Sequence, residues 1–144
     1  MAITQTMCTS FKVALLDGEM DFSSNTSQTF KIALFTSSAD LDADTVAYAS
    51  DNEASGTGYT AGGETLTIYT NPTSTDTTAF LTFATASWAN SSITARGALI
   101  YRSSGSGNNA ITVLDFGADK TTLANTFTVT FPTADKNTAI IRIA

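Results

Sequence analysis

The sequence predicts a mostly β protein, an antiparallel β-sandwich or jelly-roll-like single domain with a short N-terminal helix. Three observations carry this expectation. Apolar residues alternate with threonine at period two, as in Leu66 and Ile68 against Thr65 and Thr67, or Phe127, Val129 and Phe131 against Thr128 and Thr130, so each strand has one core face. Turn clusters at 71–72, 103–108 and 132–137 punctuate the chain at the spacing of a sandwich. Charged residues make up only 14% of the chain against 42% hydrophobic, and serine and threonine occur throughout, which suits half-buried pleated surface better than solvated helix.

The elements follow in order. Phe11, Val13, Ala14, Leu15 and Leu16 read as a short helix, with Thr9 and Ser10 both cap candidates and Gly18 placed to end it. Residues 29–36 alternate Phe30, Ile32 and Leu34 with Lys31, Ala33 and Phe35, a strand covered on both faces. The acidic stretch 37–48 reads as a helical turn capped by Ser38. Residues 49–63 gather four glycines, the mark of a long loop that needs positive φ or close backbone approach. Strands are expected at 64–70, 78–84, 93–101, 109–116, 125–131 and 138–143, and the run between Tyr101 and Asn109 is the clearest hairpin. The 144 residues fit one domain. Residues 1–28 form an N-terminal segment with the helix, a candidate docking arm, and 29–144 form the β core.

Charge and residue inventory narrow the function. Thirteen acids against seven bases give a net charge of −6, so the basic patch that draws a protein to nucleic acid is missing. The imbalance is uneven: residues 1–76 carry −8 and 77–144 carry +2, a pattern that lets unlike surfaces of neighbouring copies attract. The single cysteine, Cys8, makes no intrachain disulfide, so stability must come from packing. The N-terminus has no basic and apolar leader and no apolar run reaches membrane-spanning length, which gives the expectation of a soluble, untargeted protein with no membrane partner.

With no histidine, Ser-His-Asp and Cys-His catalysis and the usual zinc sites are excluded. A glycosidase-like carboxylate pair would have to draw on Glu19, Glu53, Glu64 and the aspartates, against the plainer reading of solvated acids. Asp40, Asp42, Asp44 and Asp51 resemble a calcium loop, but Thr45 stands where the glycine is required and Asp51 where the bidentate glutamate belongs, which favours a solvated acidic turn. Gly56, Gly58, Gly62 and Gly63 precede a strand rather than a helix, so turn geometry is preferred to a phosphate loop. Trp88, Tyr59, Tyr69 and Tyr101 are candidates for a sugar-stacking platform, although Trp88 follows an apolar strand and reads as core. Arg96 sits inside a strand and needs solvent or a partner: either an exposed face or an intersubunit ion pair with an acid of the N-terminal half. No catalytic residue, cofactor or metal ligand is assigned. The interface candidates are Phe11, Tyr59, Arg96 and Arg102, with 1–10 and 49–63 as docking elements.

Five segments, 10–18 (SFKVALLDG), 29–36 (TFKIALFT), 52–63 (NEASGTGYTAGG), 93–101 (ITARGALIY) and 113–120 (VLDFGADK), taken in order, resemble small virion structural proteins of tailed bacteriophages. The resemblance covers most of the chain and brings no catalytic or ligand residues with it. It implies a capsid cement or decoration protein on the outer surface of the virion, made in the host bacterial cytoplasm, with the major capsid protein as partner and self-association, a trimer first. The alternative is a glycan- or host-surface-binding module such as a head-fibre base or tail component.

Overall fold

The computed structural model describes residues 2–104 and 107–144. Among these the chain order is β1 (Thr6–Met7), α1 (Thr9–Leu16), β2 (Phe30–Phe35), β3 (Glu64–Leu66), β4 (Ile68–Thr75), β5 (Thr78–Phe83), β6 (Ala86–Ser91), β7 (Thr94–Arg102), β8 (Ala110–Thr121), β9 (Asn125–Val129) and β10 (Ile141–Ile143). The fold is mostly β, with one short helix, as the alternation predicts. Five strands form the main sheet in the order β1-β8-β7-β2-β3, a second sheet runs β10-β5-β4, and β6 pairs with β9. All these pairings are antiparallel.

The core lies between the sheets. Phe30 of β2 stacks on Phe22 at 4.6 Å, and Phe83 of β5 meets both rings at 6.3–6.4 Å. The other face of β2 is also closed, because every residue of β2 but Lys31 is buried. Tyr101 of β7 lies opposite Lys31, and cross-strand partners share a face. Tyr48 stacks on Tyr101 at 4.7 Å and meets Phe35 edge-on at 6.5 Å, so the segment 37–48 covers that side. This segment holds no helix. Its backbone is used in bridges instead, Leu41 to Ile3 and Ala47 to Asn109, because docking on the sheet satisfies more groups than one isolated turn.

The helix starts one residue earlier than the cap candidates suggest. Cys8 is the N-cap, with no side-chain cap bond, while Ser10 Oγ donates to the Thr45 carbonyl. The end is as expected: Gly18, at φ +73°, donates to Leu15 O and Glu19 N–H donates to Ala14 O, the paired bonds of a Schellman stop. The N-terminal segment is not a free arm, since Thr6 and Met7 pair with Val113 and Thr112 and Thr4 N–H bonds Leu41 O.

Several strands depart from the sequence reading. The expected strand 64–70 is two: β3 pairs with β2 and β4 with β5, so the chain changes sheets at Thr67, whose carbonyl accepts Ala84 N–H. β4 then runs through Asn71 and Pro72, read as a turn, because it is an edge strand with a register shift between Thr70 and Thr73, where a missing N–H is tolerated. β6 was not expected at all; its Ala86 and Trp88 are buried between exposed Ser87 and Ala89. β8 extends past Phe116 to Thr121 by a bulge: Ala95 faces Lys120 while Gly97 faces Asp115, and Gly117, at φ +76°, supplies the turn. At the C-terminus only Ile141–Ile143 pairs; Asp135 accepts the N–H groups of Asn137 and Thr138 and holds the preceding residues in a loop. The β7–β8 hairpin forms as expected, and Gly105 and Ser106 of its turn lie outside the described residues.

Phe11 is fully buried and meets Phe22 edge-on at 6.0 Å, which pins α1 to the Phe22–Phe30–Phe83 cluster. Phe11→Ala therefore lowers the unfolding free energy by about 3–5 kcal/mol, read by denaturant titration. Leu16→Ala, at a position 89% exposed, changes it by less than about 0.5 kcal/mol.

Candidate functional site

The polar groups with the most structure around them lie in the glycine-rich segment 49–63. Glu53 pairs with Phe35 in an antiparallel bridge, and Ala54 N–H bonds Leu34 O at 2.8 Å, so the segment behaves as a short extension of the main sheet beside β2. The Glu53 carboxylate accepts three bonds: from Tyr59 Oη–H at 2.6 Å and Gly62 N–H at 2.7 Å on Oε1, and from Tyr48 Oη–H at 2.6 Å on Oε2. Tyr59 Oη also accepts Leu34 N–H at 2.9 Å, and Tyr101 Oη–H donates to Gly62 O at 2.7 Å. One carboxylate thus collects both ends of the loop and ties them to β2 and β7.

Glycine is required where the loop rejoins the sheet. Gly63 has φ +75°, and a Cβ there would lie 1.8 Å from Ile32 O; no side chain fits so close to a neighbouring carbonyl. Gly56 is similar, its Cβ position 2.0 Å from Ser92 O. The glycines allow close backbone approach, as the sequence suggested, and the approach is to the protein's own backbone, at Ile32 of β2 and at Ser92 between β6 and β7.

Charge-assisted bonds to Glu53 also act on the tyrosines. Burial first, then the bond to Glu53, pushes the Tyr48 and Tyr59 hydroxyls up from their ordinary range. Burial, then the Glu53 charge, takes Tyr101 up to about 12. This is a protonated, donor-filled cluster in which the carboxylate has its oxygens engaged. Of the other two glutamates considered for a hydrolytic pair, Glu19 and Glu64 are exposed.

The four interface candidates are not brought together. Phe11 is fully buried in the core. Tyr59 is part of the Glu53 cluster, 6.0 Å from Trp88. Arg96 finds its partner within the chain: its Nε donates to Asp115 Oδ1 at 3.3 Å, across the β8 bulge, and Asp115 also accepts Gly117 N–H at 2.8 Å. The Gly117 bond first, and then Arg96, hold Asp115 below the ordinary carboxylate range. Of the solvent or partner that Arg96 needs inside a strand, it has both: it stays part-exposed and pairs with an acid of the neighbouring strand. Arg102 donates from Nη2 to Asn109 Oδ1 at 2.8 Å and from Nη1 to the Glu19 carbonyl, clamping the chain after α1 to the base of the β7–β8 hairpin.

The remaining motifs resolve into structure. Asp42 Oδ1 accepts Asp44 N–H at 2.8 Å, and Asp42 N–H donates to Thr45 Oγ1, which makes the calcium-like stretch an Asx turn; no cluster of three or more acids, cysteines or histidines suited to a metal ion occurs among the described residues. The aromatic platform is not assembled: Trp88 and Tyr101 are each 2% exposed, while Tyr69 stands apart at 77%. Sequence reasoning missed Glu53 as a hub because its donors come from positions 48, 59 and 62, a spacing that matches no periodic element.

Tyr59→Phe removes a bond to a carboxylate and the acceptor of Leu34 N–H, and lowers stability by about 1.5–3 kcal/mol in chemical denaturation. The pH dependence follows from the raised hydroxyls: their contribution is complete below the unfolded tyrosine range near pH ~10 and is lost as pH rises through the higher folded values. Spectrophotometric titration accordingly shows phenolate absorbance of Tyr48, Tyr59 and Tyr101 appearing together with loss of the fold above about pH 10. No family model, curated protein or solved structure matches the chain.

Proposed function

We propose that this chain is a structural protein of a tailed-phage virion that binds the outer capsid surface, bridges neighbouring major capsid subunits and stabilises the shell, with self-association into a trimer at local threefold positions. The proposal starts from the ordered resemblance of five segments to small virion proteins. The observation that carries it furthest is the contrast between the fixed interior and the exposed surface. In the Glu53 cluster one carboxylate and the hydroxyls of Tyr48, Tyr59 and Tyr101 are engaged in tying a loop to the main sheet. Large apolar side chains stand in solvent at Leu16 (89%), Leu123 (81%) and Val46 (64%), and are available to a contact with another protein surface.

A rigid module that binds the assembled shell and not its free subunits stabilises the shell by mass action, by about 2.7 kcal/mol per site at a hundredfold excess over Kd. Cryo-electron microscopy of virions then finds the 15.0 kDa chain over capsid subunit junctions, and particles depleted of it stay assembled but disrupt at lower temperature. Equal heat resistance of depleted and intact particles, or density confined to the tail, would defeat the reading.

A further inference from the structure

Two of the four tyrosines are stacked on one another. The rings of Tyr48 and Tyr101 lie 4.7 Å apart between centroids, at an interplanar angle of 12°, a near-parallel offset stack. Their hydroxyl ends converge on one peptide unit. Tyr101 Oη–H donates to Gly62 O at 2.7 Å, Tyr48 Oη–H donates to Glu53 Oε2 at 2.6 Å, and Glu53 Oε1 accepts the N–H of the same Gly62 at 2.7 Å. Rings held in this way also have the carbons ortho to the two hydroxyls at one end of the stack.

The pair is open to solvent on one side and has a proton acceptor in place. Tyr48 is half-buried, whereas Tyr101 is 2% exposed, so an oxidant in solution meets Tyr48 first. A phenol that loses an electron becomes a strong acid, and the Glu53 carboxylate already accepts its hydrogen, the geometry that a base needs. The phenoxyl radical so formed carries unpaired spin on its ortho carbons, and the phenol stacked against it is Tyr101.

The other two tyrosines lack this arrangement. Tyr59 also donates to Glu53, at 2.6 Å, but its ring lies beside Trp88, tilted by 32° at 6.0 Å. Tyr69, 77% exposed, stands outside both the stack and the Glu53 cluster.

We propose that Tyr48 and Tyr101 form a site of oxidative modification, at which a peroxide acting in one-electron steps joins the two rings into an intrachain dityrosine. One electron leaves Tyr48 and its hydroxyl proton passes to Glu53. The ortho carbon of the radical bonds to the ortho carbon of Tyr101, and a second electron leaves the adduct. Both ortho hydrogens then depart as protons, and the proton held by Glu53 returns to the Tyr48 oxygen. In sum one C–C bond forms, two C–H bonds break, and two electrons reduce the peroxide O–O bond. The link fastens the segment 37–48 to β7 covalently, and its chemistry is independent of the capsid setting.

The test exposes the full chain, at low concentration, to persulfate with a ruthenium photosensitiser, and maps linked peptides by mass spectrometry. The expected product is a monomer in which the peptides bearing residues 48 and 101 are joined with loss of two hydrogens, accompanied by dityrosine fluorescence. This link forms at least about tenfold more often in the folded chain than in denaturant, because a pair held in place reacts as one molecule. Tyr69→Phe leaves the product unchanged and lowers linkage between chains, whereas Tyr48→Phe abolishes the product. A folded chain that gives no link between residues 48 and 101 overturns the proposal. So does a link that forms as often after unfolding, or dityrosine found only between chains.

Discussion

The Glu53 carboxylate holds residues 49–63 on the main sheet, and much of the architecture follows from that attachment. Its three donors come from before, within and near the end of the segment. Satisfying them places Tyr59 against the Leu34 amide and Gly62 under the Tyr101 hydroxyl. A half-buried carboxylate without donors would be costly, so the loop closes around it in one arrangement. Gly63 then lies close enough to Ile32 O to exclude any side chain, and the chain enters β3 in register with β2. The loop that carries most of the glycine in the first half of the chain is therefore a built part of the sheet.

The same economy of polar groups appears elsewhere. Arg96 and Asp115 meet over a bulge, Arg102 spans from the helix exit to the hairpin, and Lys136 pairs with Asp76, joining the C-terminal loop to the β4–β5 turn. Exposed pairs of this kind add little stability, about 0–1 kcal/mol each. Their effect is to position loops over a core that is already apolar on both faces of β2.

Two strand edges set the other main feature of the surface: among the described residues β9 pairs only with β6, and β8 has no strand on its outer side beyond Val113. A sandwich whose strands closed around the core would leave no edge at β9 or beyond Val113 on β8, and exposed edges invite pairing with further strands. Here side chains take up edge amides: Gln5 Oε1 accepts Asp115 N–H, Asp115 Oδ1 accepts Gly117 N–H and Asn125 Oδ1 accepts Thr126 N–H. Amides satisfied in this way are less available for promiscuous pairing.

The fold class was legible in the chain, because period-two alternation and turn residues act locally: β2, β5, β7 and β9, the β7–β8 hairpin and the Gly18 stop all lie where the pattern puts them. The core assignment of Trp88 was equally legible from its apolar surroundings. Decisions that depend on distant partners were not. Tertiary packing alone made Phe11 a core anchor rather than an interface residue, split 64–70 between two sheets at Thr67, carried β4 through Pro72 because its edge faces solvent, and lengthened β8 by a bulge that gives Arg96 its acid. It also drew Tyr48, Tyr59 and Gly62 onto Glu53 and left β9 with β6 as its one strand neighbour among the described residues. Alternation specifies which side of a strand is buried; which strand lies beside it is decided by contacts between residues far apart in the chain, and no local pattern encodes those.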